Sequence, residues 1–110
     1  MHVGDLDGSS NKTGKNWKAS VTITVHDSNE MPLANASVSG TWSGGFDGLV
    51  SCVTDGNGQC GLSTGKIDGQ QTSATFSVDD LSLAAYSYGP ADNHDPDGDS
   101  DGSIITVSKP

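Results

Sequence analysis

At 110 residues, the chain has room for one domain, 1–110, with a modest core. A net charge of −9, with five lysines and no arginine, leaves no basic surface to displace counterions from phosphate, which excludes a nucleic-acid binder. Gly, Ser, Thr and Asp are plentiful, long-chain helix formers are scarce and no apolar run could span a bilayer, so the mix favours short strands joined by turns.

The opening, Met1-His2-Val3-Gly4-Asp5, is expected to hold a short strand over 1–4. No basic stretch leads there into an apolar one, so it is not a signal peptide. The chain is therefore expected to be a piece excised from a larger secreted protein. The clearest strand runs from Trp17 to Asp27, where Trp17, Ala19, Val21, Ile23 and Val25 alternate with polar residues. Asp27-Ser28-Asn29-Glu30 supplies a turn and Pro32 interrupts. A second strand places Ala34, Ala36, Val38, Gly40 and Trp42 on one face. Residues 49–54 and 59–63 then read as two arms of a hairpin around Asp55-Gly56-Asn57-Gly58, whose residues tolerate positive φ. Ala74, Phe76 and Val78 mark another strand, Ala85 to Tyr88 a further one, and Ile104 to Val107 the last. Seven or eight short antiparallel strands at even spacing predict an all-β, two-sheet, immunoglobulin-like sandwich.

In such a hairpin, Cys52 and Cys60 face each other across neighbouring strands, roughly 4.5–5.5 Å apart at Cα and within disulfide range. A disulfide persists only in an oxidising compartment, which predicts a secreted, extracellular setting. Reduced buried thiols are the alternative.

Two motif matches carry no function. Gly56-Asn57-Gly58-Gln59-Cys60-Gly61 has the glycine spacing of a dinucleotide fingerprint, but a strand follows where a helix is needed. Gly61-Leu62-Ser63-Thr64-Gly65 spells a nucleophile elbow, without the large α/β sheet that the elbow requires. The three histidines, His2, His26 and His94, show no paired spacing on one element, so the sequence does not group them around zinc. His26 is expected to be solvated, and His94 to brace the loop around it.

That loop is the strongest chemical signal. In Asp92-Asn93-His94-Asp95-Pro96-Asp97-Gly98-Asp99-Ser100-Asp101-Gly102, carboxylates recur at every second position, and their repulsion calls for a hard cation. Asp97, Asp99, Asp101 and Gly102 match the first, third, fifth and sixth positions of an EF-hand loop, yet Ser108 stands where the closing glutamate belongs. Ligands must come from elsewhere, and Asp5 and Asp7, just past the opening strand, are the natural candidates. The predicted calcium set is Asp5, Asp7, Asp95, Asp97, Asp99 and Asp101, with Asp92 and Asp55 as weaker additions.

Met31-Pro32-Leu33-Ala34-Asn35-Ala36-Ser37-Val38, followed by Thr54-Asp55-Gly56-Asn57-Gly58, resembles bacterial immunoglobulin-like and carboxypeptidase-regulatory-like domains. The opening Met1-His2-Val3-Gly4-Asp5-Leu6-Asp7-Gly8 looks like the start of accessory domains appended to secreted bacterial hydrolases. The resemblance implies a β-sandwich outside the cell with no catalysis of its own. The expected function is a calcium-stabilised accessory domain of a secreted bacterial enzyme or adhesin, acting as spacer, stabiliser or substrate anchor. Its partners would be the rest of the parent polypeptide and a polysaccharide or protein substrate. The alternative is a carbohydrate-binding module, whose aromatic platform would draw on Tyr86, Tyr88, Trp17 and Trp42. Trp17 and Trp42 stand in register with apolar neighbours, which favours the core for both.

Overall fold

The computed structural model describes residues 1–96, 98 and 100–110. Seven strands form two antiparallel sheets: β1 (His2–Thr13), β2 (Asn16–His26) and β5 (Gln59–Ser63) in one, and β4 (Gly48–Val53), β3 (Ser37–Gly44), β6 (Ser73–Ser82) and β7 (Ile104–Ser108), in that order, in the other. This is the predicted all-β sandwich. Period-two alternation builds it: Trp17, Ala19, Val21, Ile23 and Val25 from β2 meet Val38, Trp42, Ala74, Phe76, Ile105 and Val107 from the opposite sheet, all buried. Trp42 and Phe76 pack with ring centroids 5.3 Å apart. No helix among the described residues is long and apolar enough to cross a membrane.

The structure corrects three expectations about elements. The opening strand continues to Thr13, so Asp5 and Asp7 lie within β1 rather than in a loop after it. Asn16–His26 pairs along its whole length and holds those extra residues in place. The segment 85–88 is not a strand. It leaves a turn in which the Tyr86 amide donates to the Leu83 carbonyl and Ala85 takes a φ of 72°.

The third correction concerns Cys52 and Cys60. The disulfide forms, with Cα atoms 5.9 Å apart, but β4 and β5 are not hairpin partners. β4 pairs with β3 and β5 with β2, so the 54–58 turn arches from one sheet to the other. The bond therefore ties the two sheets together at their edge strands. Thr54 anchors the arch: its hydroxyl donates to the Leu33 carbonyl at 2.7 Å and accepts the Ala36 amide at 2.9 Å.

Candidate metal centre

Pairing of β1 with β2 sets His2 directly opposite His26 at one end of the sheet. A bulge between Val3 and Asp5 keeps Val3 and Leu6 both in the core, which turns Asp5 and Asp7 outward. Gly4 lies at this bulge, where a Cβ would stand 2.2 Å from His26 Nδ1, so the imidazole occupies the space that glycine leaves.

The turn after β2 brings in Glu30, the only glutamate in the sequence. Asp27 Oδ1 accepts the amides of Asn29 and Met31, and the Asp27 amide donates to the Met31 carbonyl. The same pattern recurs at Asp55, whose Oδ1 accepts the amides of Asn57 and Gln59. The fourth position of the second turn is Gly58, with φ 73°; the fourth position of the first is Glu30, with φ 62°. A glutamate thus stands in the left-handed conformation that its counterpart fills with glycine, at a backbone cost of about 1–2 kcal/mol for a residue carrying Cβ.

The third segment is the β6–β7 connection, which lies along the free edge of β1. The Gly89 amide donates to the Met1 carbonyl, the Val3 amide to Asn93 Oδ1 at 2.8 Å, and the His94 amide to the Val3 carbonyl at 3.1 Å. Asn93 Nδ2 in turn donates to the Tyr88 hydroxyl and to Ser103 Oγ. Gly102 allows the returning chain to pass close by, since a Cβ there would sit 2.5 Å from the His94 nitrogen.

These segments carry all three histidines and the sole glutamate to one point. One ligand atom from each of His2, His26, Glu30 and His94 lies within 4.8 Å of the others. Glu30 Oε1 is 2.8 Å from His2 Nε2, and Oε2 is 3.1 Å from His26 Nδ1 and 3.3 Å from His94 Nε2. The His2 side chain is 5% exposed, and its Nε2, though close to Glu30, lies outside hydrogen-bonding geometry and has no such partner among the described residues. His94 Nδ1 is 3.1 Å from the Asp92 carbonyl, an acceptor, so Nδ1 carries a proton and Nε2 is the nitrogen presented to the carboxylate. Desolvation pushes the Glu30 carboxyl up, but the His26 hydrogen bond and the charges of His2, His94 and His26 together hold it below its ordinary value.

An acidic group adjoins the cluster. Asp5 is pushed up to about 7, first by burial and then by the carboxyls of Asp95 and Asp7 facing it. Its Oδ1 is closed off from solvent and accepts no hydrogen bond within the described structure. Ser100 Oγ donates to Asp95 Oδ2. Asp101 serves the backbone instead. Its Oδ1 accepts the amides of Ser103 and Ile104, both at 2.8 Å, and these bonds hold its carboxyl below the ordinary range while starting β7. Asp55 is a turn former. Asp97 and Asp99 lie outside the described residues.

The structure thus brings Asp5, Asp7 and Asp95 close enough to act on one another, from a strand and a loop rather than from two loops. It also brings together the three histidines that the sequence leaves apart. Their signal is the four-residue spacing of His26 and Glu30 across an Asp-led turn, and it becomes legible only once β1 is registered against β2. The residues offered for an aromatic platform do not share one exposed face, and both tryptophans lie in the core, as their register with apolar neighbours predicts. Trp17 and Trp42 are fully buried, and Tyr88 is half-buried and accepts a hydrogen bond from Asn93, leaving Tyr86 as the exposed ring of the four.

Comparison with family models, with curated proteins and with solved structures gives no match to this chain.

Proposed function

We propose that the chain is a non-catalytic accessory module of a secreted bacterial enzyme or adhesin, a spacer, stabiliser or substrate anchor, and that calcium closes one of its ends. The observation that carries this reading is the meeting of Asp5 and Asp7 on β1 with Asp95 of the β6–β7 connection. Three carboxyls facing one another repel when ionised, and a hard cation with oxygen ligands offsets that repulsion. Asp97 and Asp99, two and four residues beyond Asp95, extend the same donor set in sequence. The cross-sheet disulfide supports an oxidising, extracellular setting. The non-catalytic reading is supported by the structural work that other acids perform: Asp27, Asp55, Asp68 and Asp101 all accept backbone amides in turns. Burial of both tryptophans favours an anchor or spacer over a sugar-binding platform.

Thermal unfolding in calcium and in chelator tests the reading. At a hundredfold excess over the dissociation constant, calcium contributes about 2.7 kcal/mol, a rise on the order of 10 °C for a domain of this size. The Asp5→Asn, Asp95→Asn double variant should lose that response. An unchanged melting temperature in the wild type would remove calcium from the account.

A further inference from the structure

We infer that His2, His26, His94 and Glu30 form a second, separate metal site, which takes zinc in a closed tetrahedral shell. Three imidazole nitrogens and one carboxylate oxygen are a borderline donor set, suited to zinc and unlike the all-oxygen shell of calcium. A tetrahedral ion with bonds of about 2.0–2.1 Å holds its donors about 3.3 Å apart. Glu30 stands 2.8 Å from His2 through Oε1 and 3.1 and 3.3 Å from His26 and His94 through Oε2, and one ligand atom from each of the four residues lies within 4.8 Å of the others, so a small contraction brings the set to that spacing.

Two observations beyond convergence point to a cation. His2 Nε2 is buried, directed at the cluster and without a hydrogen-bond partner within the described structure, an arrangement that costs stability unless the nitrogen is protonated or ligated. His94 is oriented as metal-bound histidines commonly are, with the far nitrogen donating to a backbone carbonyl, here that of Asp92, and Nε2 presented to the site. The left-handed Glu30 fits the same reading, because backbone strain of this kind persists where a functional group must be held in place.

With four protein ligands the shell is full. The ion would therefore be structural, joining the start of β1, the end of β2, the Asp27 turn and the β6–β7 connection. The competing arrangement is an ion-pair cluster in which protonated histidines surround Glu30 and no metal binds.

The test uses chelator-treated protein returned to excess calcium, so that the aspartate group is supplied first and its effect is read separately. Zinc and cobalt are then titrated into the wild type, His94→Gln and Glu30→Gln, with circular dichroism establishing that each is folded. The expected result is one equivalent of cobalt giving the intense visible bands of a tetrahedral site. One equivalent of zinc should raise the melting temperature further, on the order of 10 °C at a hundredfold excess. Affinity should fall at least about tenfold in both variants. Folded wild type with no tetrahedral cobalt spectrum and no zinc-dependent shift would overturn the site. So would zinc binding that neither variant weakens, since the ion would then be sitting on the aspartates.

Discussion

Glu30 occupies the place in its turn that Gly58 occupies in the matching one, and this substitution of side chain for glycine is the clearest local sign of a site. Replacing Glu30 by Gly removes the left-handed strain along with the carboxylate. The metal-free melting temperature is therefore expected to stay within a few degrees of wild type, while the response to zinc disappears; calorimetry in chelator and in zinc checks both halves. Gly4→Ala acts from the other side of the cluster. Its Cβ displaces the His26 ring, so zinc affinity should fall without any ligand being removed. Asp5 makes metal-free stability depend on pH. Its folded pKa, about 7, is above the ordinary aspartate value of 3.8, so the folded state holds more protons between those limits. Stability in chelator should therefore fall as pH rises from about 4 to 7, a direction that denaturant midpoints would reveal. At this scale the sequence is informative about residue type and silent about company. Asp5, Asp7 and Asp95 can be grouped because recurring like charges stand out in the chain, whereas His2, His26 and His94 are isolated in it and meet only through the fold.

Among the elements, β2 is the most legible, because a strand with one wet face writes its alternation directly into Trp17 to His26. The β4–β5 connection is not. Asp-Gly-Asn-Gly serves a hairpin and an inter-sheet arch equally well, and only the pairing of β4 with β3 and of β5 with β2 separates them. The Cys52–Cys60 bond closes a short loop, with a sequence separation of 8, and its removal by a double serine substitution should cost about 2.5 kcal/mol. A melting temperature lower by on the order of 10 °C is the expected reading. The docking of the β6–β7 connection on β1 depends on Asn93, which accepts the Val3 amide and donates to Tyr88 and Ser103. Asn93→Ala forfeits all three bonds, about 2–3 kcal/mol at ordinary values. It should also weaken zinc binding, since His94 would lose the edge that positions it.

The whole molecule is elongated, 45 × 24 × 20 Å, and its two ends differ in charge. Lys12, Lys15 and Lys18 lie on or near the β1–β2 turn, Lys66 adjoins the Ile67 bridge to Trp17, and Lys109 donates to the Gly69 carbonyl. All five lysines thus gather at the end opposite His2, roughly 36 Å away along β1. The end carrying Asp5, Asp7, Asp95 and the histidines holds no lysine, its fixed positive charge being the Met1 ammonium, and an excess of carboxylates over fixed cations is an electrostatic setting that attracts cations. In this account bound cations fasten the β6–β7 connection to the edge of β1 and so close the open end of a sandwich already stapled by its disulfide. Amide hydrogen exchange tests that claim most directly, because the Val3 and His94 amides form two of the bonds between the two segments, those nearest the proposed sites. With calcium and zinc present, exchange at these two amides should slow at least about tenfold relative to chelator, the largest change in the molecule. Equal exchange rates with and without metal would contradict the account.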